Sequence, residues 1–531
     1  MKNKYFSPIF FIFCVSAFGA QSGSELYYSD SGGGFVLSDA AIWRVGSFDG
    51  PQFSGSLTET EDNVNSLNFS AAGSGSEWYV CTLNDSISVA GINADISCAG
   101  GGNSYVIDVS AGKTLDVSGD FSVVANYDSV DRVTDLKIRD GASVNIGGDL
   151  SYEYNYSGTL SWNTAIFKLG SGGSFYLAGD LEISGGNSQR LILDVKNFTV
   201  GGVVGVGNFD STVSVFSLEG RNVSSDVLYR KMGGLNGGGK MVVNSSGKTV
   251  QMEFTNSSAC QWSGMLGKGA GDNTSALYIT MDAADAENGK QTLRFTGAGD
   301  FTVGDTAYQK MDIASVIVKN GELSLGMPSG MGAGSLSVEG DGAVFSAAGH
   351  ISGEVGRAYF DSVWFSRGTI RIDFSEADGC DTLVVAEQFY LPNGTGSAFF
   401  ELNVSSYDLG AWLEASDAQY MDFTILEFGS ANIASKSVAE MLKLSEGVNA
   451  EVVEGDFADG KLTLRLSLAQ VPEPAAAAAL AAGQGNGREG GRRYCSGTAF
   501  PAGCLWQTTG GHIRRWPGHI CRRYVSRAIY R

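Results

Sequence analysis

One phrase, stated three times, constrains this chain more than any other feature. Gly112-Lys-Thr-Leu-Asp-Val-Ser-Gly-Asp-Phe-Ser-Val123 returns as Gly141-Ala-Ser-Val-Asn-Ile-Gly-Gly-Asp-Leu-Ser-Tyr152, and again as Gly172-Gly-Ser-Phe-Tyr-Leu-Ala-Gly-Asp-Leu-Glu-Ile183. The starts at 112, 141 and 172 lie 29 and then 31 residues apart. A period of that size marks a stacked array, in which each unit buries its apolar face on its neighbours. Inside the phrase, Thr-Leu-Asp-Val-Ser alternates apolar and polar residues, so every second side chain points inward from a strand. The Gly-Asp pair suits a tight corner: glycine supplies unusual backbone angles and the carboxylate can accept a local backbone N–H. A feature present in every rung is scaffold, so these aspartates are not read as catalytic. A degraded fourth copy is Leu193-Asp-Val-Lys-Asn-Phe-Thr-Val200. The spacing predicts an all-β fold, a right-handed parallel β-helix (β-solenoid) with one rung per repeat. A β-sandwich array of short alternating strands is the competing geometry.

Composition narrows function by exclusion. Apolar residues make up 43% of the chain, ample for a packed core. Residues 471–531 hold nine Arg and two Glu, so the body carries about −28 against −21 overall. So acidic a body repels phosphate backbones, which excludes nucleic acid as its partner. It suits an exported protein, or one that gathers calcium loosely.

The N-terminus reads as an export signal. Lys2 and Lys4 precede an apolar run over 6–15, and Ala17, Gly19 and Ala20 supply small residues for cleavage. That run is too short to span a bilayer. Cysteine usage in the body is thin: Cys81, Cys98, Cys260 and Cys380. Cys81 and Cys98 either pair in an oxidising compartment or stand as isolated buried thiols.

Beyond the signal, segments such as 77–83 and 86–89 read as short strands between Gly/Ser/Asn/Asp turns. The run Gly233-Gly-Leu-Asn-Gly-Gly-Gly239 reads as a flexible interruption. Ser437-Val-Ala-Glu440 is a capping-box pattern opening a helix that Gly447 would stop. Leu462-Thr-Leu-Arg-Leu-Ser-Leu468 alternates cleanly and reads as the strand that closes the solenoid.

Two stretches carry family resemblances. The segments 291–303, 314–326 and 334–345 contain Val318-Lys-Asn-Gly-Glu-Leu-Ser-Leu-Gly326. That core resembles the autotransporter-associated β-strand repeat over about 60 residues, which implies a passenger-type β-helix on a bacterial surface. Val471-Pro472-Glu473-Pro474, followed by an alanine-rich run to 482, resembles the start of a PEP-CTERM sorting signal. The resemblance implies a sorting protease, and a membrane link only through a C-terminal anchor. The chain then departs from that family: a spanning helix needs about 20 apolar residues, whereas Gly483-Gln-Gly-Asn-Gly-Arg begins a polar stretch. Residues 483–531 hold nine Arg, no Lys or Asp, and three of the eight Cys. We read this tail as disordered or as the product of a frame change near Ala482. A zinc module from Cys495, Cys504, His512, His519 and Cys521 fits no common ligand spacing.

Catalytic chemistry finds little to stand on. The body has one histidine, His350, outside any nucleophile-elbow context. The densest acidic cluster beside a strand is Asp373, Glu376, Asp378 and Asp381, with Arg371 near it. Paired carboxylates there would suit glycoside cleavage. Gly269-Ala-Gly-Asp272 and Gly297-Ala-Gly-Asp300 resemble calcium-binding turns but lack tandem repetition.

The expected organisation is a signal peptide over 1–20, solenoid repeats over 21–255 and an autotransporter-like region over 256–350. A closing β region follows over 351–470, then the start of a sorting signal over 471–482 and the Arg/Cys-rich tail over 483–531. The expected function is that of an exported surface or extracellular-matrix protein, a rigid stalk for adhesion that meets extracellular polysaccharide or host and matrix glycans. The alternative is a polysaccharide-degrading β-helix enzyme, a lyase or glycoside hydrolase.

Overall fold

The three copies of the phrase stack directly on one another. In the computed structural model Thr114 lies opposite Ser143 and Ser143 opposite Ser174, while Phe121 lies opposite Leu150 and Leu150 opposite Leu181, all in parallel register. The structure describes residues 25–469, except for 31–34, 56, 58–64, 75–78, 100–104, 128–132, 157–163, 209–210, 271–273, 298–300, 304–305, 349–354, 376–378, 393–396 and 433–434. It is a parallel β-solenoid of about 10 turns, 65% strand and 6% helix, with repeats about 29 residues apart. Parallel pairing of each strand with its copy one coil away sets aside the sandwich array, whose strands pair antiparallel.

Each coil of the N-terminal half has three strands. The phrase supplies the first two: Thr114–Val117 on face 1 and Phe121–Tyr127 on face 2. Val133–Ile138 on face 3 completes the turn, and Ser143–Ile146 starts the next. The alternation works as expected. Leu115, Val117, Val144, Ile146, Phe175 and Leu177 are buried, while Thr114, Ser143 and Ser174 face outward. Like residues meet like inside, as where the rings of Phe175 and Phe198 stack 5.7 Å apart. That pair also identifies the fourth copy, since Asn197–Val206 continues both faces with Phe198 opposite Phe175 and Val200 opposite Leu177.

The corners differ from expectation in an informative way. The Asp carboxylates cap the next coil, not their own. Asp120 Oδ1 accepts the Asp149 N–H at 2.9 Å, Asp149 Oδ1 accepts that of Asp180 at 2.8 Å, and Asp180 Oδ1 accepts that of Val203 at 2.6 Å. The glycine before each Asp is required by close approach, not by backbone angle. A Cβ on Gly148 or Gly179 would overlap the carboxylate of the coil below, Asp120 or Asp149 respectively. The unusual angles occur at the opening glycines instead, with φ of 70°, 74° and 88° at Gly112, Gly141 and Gly172.

The Gly233–Gly239 run is no interruption. It lies inside Val227–Asn244, an unbroken 18-residue strand whose successive parts pair with all three faces of the preceding turn. Gly237 and Gly239 take φ of 117° and 131°, and any Cβ there would strike the carbonyls of Val206 and Ser214. Glycine lets a strand turn the corner while its ladder continues.

Face 3 ends where a hairpin crosses it. Gly267 and Gly269 pair antiparallel with Lys310 and Tyr308, and the strands Phe301–Val303 and Thr306–Lys310 fold back together. Phe301 and Tyr308 bury Val215 and Val242 on the outer side of face 3. Among the described residues, the parallel ladders from Ala276 onward belong to faces 1 and 2, and the coil shortens accordingly: Ser315 lies opposite Ser335, 20 residues on. Asn320-Gly321 turns the corner inside Ile313–Gly326, with Gly321 at φ 78° and Asn320 Nδ2 donating to the Ala283 carbonyl at 2.7 Å.

The far end is closed by antiparallel strands. Lys461–Leu468 lies between Met421–Ala431 and Val448–Val452, so the alternating segment is indeed a closing strand. A helix Ser406–Ala415, capped by the Ser405 hydroxyl, packs Leu409 and Leu413 into that end. The helix expected to start at Ser437 is a short Ser435–Ala439 turn; Leu442 is already paired as strand with Phe400. Cross-coil pairing there outweighs the local capping pattern. Cys81 is a free, buried thiol on face 3, whereas Cys98 lies in a face 2 strand.

Candidate functional site

The acidic cluster divides once its partners are visible. Asp381 is 1% exposed and works as a buried tie between coils. It accepts the Gly356 N–H at 2.6 Å, the Asp373 N–H at 3.1 Å and the Ser346 hydroxyl at 3.5 Å. Burial, and then the Asp373 charge, push its carboxyl up to about 7 despite those donors. Asp373 faces outward and holds the Asn403 amide at 2.6 Å. Glu376 and Asp378 lie outside the described residues.

Arg371 serves a different group. It reaches Glu322 at 2.6 Å and Glu401 at 2.9 Å, and Lys290 joins Glu322 at 2.9 Å. Burial works to raise the Glu322 pKa, but the two cations outweigh it and the net shift is downward. This chain of charges crosses several coils on face 2 and fastens them together.

Beside Asp381 lies a groove of about 550 Å³ lined by Met327, Tyr359, Cys380, Thr382, Asp422 and Phe423 among others. Its acid, Asp422, is held by Arg465 in a two-pronged pair, both contacts at 2.9 Å. Burial pushes the Cys380 thiol up to about 12, so it is no thiolate at neutral pH. Among the described residues, no two free carboxylates face each other across the groove as glycoside cleavage requires. His350, the two calcium-like Gly-Ala-Gly-Asp turns, Val471, Pro472, Glu473, Pro474 and the Cys/His tail lie outside the described residues at their key positions.

The feature that the sequence hid is on the outside of face 1. Register pairing sets the outward residues there in two columns. One runs Ser143, Ser174, Asn197, Tyr229, Gln251, Tyr278, Ser315, Ser335, Ser362 and Gln388. The other runs Asn145, Tyr176, Thr199, Lys231, Glu253, Thr280, Ile317, Ser337, Trp364 and Tyr390, through the same pairings. Between these ends only Lys231 and Glu253 are charged, and they neutralise each other at 2.6 Å, while one coil earlier Asp116 stands opposite Asn145 in the same column. Tyr176, Tyr229, Tyr278 and Trp364 are exposed by 46%, 49%, 37% and 49% and so present their rings to solvent.

The backbone beneath Tyr229 is tied from inside. Arg230, inward from Tyr229 and fully buried, donates to the carbonyls of Tyr229 at 2.9 Å and Lys196 at 3.2 Å through one nitrogen. Its other terminal nitrogen reaches Glu219 O at 3.2 Å and Leu193 O at 3.5 Å. A sequence signal for the columns does exist: in Phe175-Tyr176-Leu177 the Tyr sits on the polar phase of the alternation. An aromatic ring on that phase points to solvent.

The fold defines the class, a parallel β-solenoid with a continuous core and a face that carries exposed aromatic rings. Comparison with protein families, with curated proteins and with solved structures finds no match for the chain.

Proposed function

We propose that this protein is an exported, non-catalytic β-solenoid that serves as a rigid spacer and adhesion element at a bacterial surface or in its matrix. The observation that carries the reading is the run of corner ties joining four successive coils, where the carboxylates of Asp120, Asp149 and Asp180 each cap the next coil. About 10 turns at ~4.8 Å per turn give a rod of roughly 50 Å. Its ladders leave few internal hinges. The sequence resemblances to passenger repeats and to a Val-Pro-Glu-Pro sorting signal support export and surface display. Loosely held calcium on so acidic a body would reinforce the rod without being needed for it.

The competing reading, a polysaccharide-degrading enzyme, draws on the groove beside Asp381. One experiment separates the two. The full chain is incubated with a panel of neutral and acidic glycans and the products are sized. Adhesion or retention without shortening of any glycan supports the spacer. Depolymerisation abolished by Asp373→Asn or Asp378→Asn overturns it in favour of the enzyme.

A further inference from the structure

We infer that the outer side of face 1 binds a neutral, β-linked polysaccharide chain lying along the solenoid axis, with Tyr229 and Tyr278 as its stacking platforms. The inference deepens the adhesion reading and rests on it for its biological setting, but its evidence is separate.

The first argument is geometric. Tyr229 lies opposite Gln251, and Gln251 opposite Tyr278, so the two rings are two strands apart in one column. Strand spacing puts them roughly 9.5 Å apart along the axis. One strand spacing is close to the advance of one pyranose along an extended β-1,4-linked chain. In such a chain alternate sugars present the same face, so rings two coils apart meet equivalent sugars. Gln251 sits between them, where an amide can both donate to and accept from hydroxyls. The hydroxyls and amides of Asn197, Thr199 and Thr280 flank the track.

The second argument is charge. On a body of about −28, the stretch of these columns from Ser174 and Tyr176 to Ser335 and Ser337, which holds both platforms, carries no net charge, because Lys231 and Glu253 cancel. Such a strip has nothing to attract an anionic polymer, and the body around it repels one. Tyr176, Tyr229 and Tyr278 also stand singly among polar side chains instead of merging into one apolar patch, whereas Trp364 and Tyr390 pack edge to face 4.8 Å apart further along. That pattern suits a flat, hydroxyl-rich chain better than an apolar protein surface. Tyrosine fits the task, since its ring stacks on the apolar face of a sugar while its hydroxyl bonds at the edge.

The test is affinity electrophoresis of the full chain in gels containing soluble hydroxyethyl cellulose, with polygalacturonate gels in parallel. Retardation is expected in the neutral glycan and is expected to survive added salt. Tyr229→Ala with Tyr278→Ala should weaken it roughly tenfold or more. Phe at both positions should retain most of it. Tyr407→Ala, at a ring 84% exposed on the end helix, should leave it unchanged. Circular dichroism melts confirm that each variant is folded. The inference is overturned if the neutral gel does not retard the protein, if polygalacturonate alone does, or if the double Ala variant, folded, binds as before. Surface adhesion by cells carrying that variant is scored separately. Loss of glycan binding with adhesion intact supports the inference and shows that adhesion uses another surface. Glycan turnover by the unmodified chain strikes at the spacer reading instead.

Discussion

Two glycines of the same repeated phrase should respond very differently to alanine, and the difference measures the stacked corner. Gly112 has φ of +70° with nothing near a built Cβ. Gly112→Ala therefore costs only the left-handed backbone, about 1–2 kcal/mol. Gly148 has an ordinary backbone but no room: a Cβ there would overlap the Asp120 carboxylate and stand 2.7 Å from the Gly119 carbonyl carbon. The carboxylate can swing away, but only by releasing the Asp149 N–H that it accepts at 2.9 Å. The peptide of Gly119 cannot move, because the Gly148 N–H is bonded to its carbonyl at 2.9 Å. Overpacking contributes about 1–3 kcal/mol and loss of a bond to a charged acceptor about 1.5–3 kcal/mol, so Gly148→Ala should cost about 3–5 kcal/mol. Because a solenoid can open coil by coil, native-state hydrogen exchange at the amides of 149 and 150 is the sharper assay, with urea unfolding beside it. Adding Asp120→Ala should recover part of the loss, giving a non-additive cycle. Equal destabilisation by Gly112→Ala and Gly148→Ala would refute the close-approach argument.

Further predictions follow from buried polar groups. The folded pKa of Asp381, about 7, exceeds its ordinary value of 3.8, so the native state keeps a proton that the unfolded chain releases. Its contribution is present in full below pH 4 and disappears as pH rises through 7, on the order of 4 kcal/mol at most. Burial raises the Asp135 pKa too, in the same sense. Urea midpoints should therefore fall between pH 5 and pH 8, and Asp381→Asn should flatten that slope; an unchanged slope would sink the assignment. Arg230→Met removes the donor to four carbonyls and should destabilise by about 2–4 kcal/mol in urea titrations. Unaltered stability would show that those carbonyls are satisfied elsewhere. Breaking the face 2 charge chain with Arg371→Met should leave Glu322 and Glu401 less well paired and cost about 1–2 kcal/mol, less at high salt, when followed by thermal melts.

The sequence by itself determined the repeat, the alternation and the corners, because each of these is specified within a dozen residues. Thr114-Leu-Asp-Val117 states which side chains go inward, and Gly-Asp states where the chain turns. It also showed the closing strand 462–468, whose alternation needs no partner to be read. Tertiary structure alone decided what those parts mean together. Whether Asp120 caps its own turn or the next depends on a neighbour 29 residues away. Whether Gly233–Gly239 breaks a strand or bends one depends on carbonyls of Val206 and Ser214 that only stacking brings close. The columns of face 1 are the clearest case. Coils along the column differ in length, from 20 residues between Ser315 and Ser335 to 37 between Tyr278 and Ser315, so Tyr176, Tyr229, Tyr278 and Trp364 follow no fixed interval along the chain. Register pairing aligns them, for a reason that belongs to the sheet: a parallel ladder keeps the phase of its side chains from strand to strand, whatever loop length intervenes.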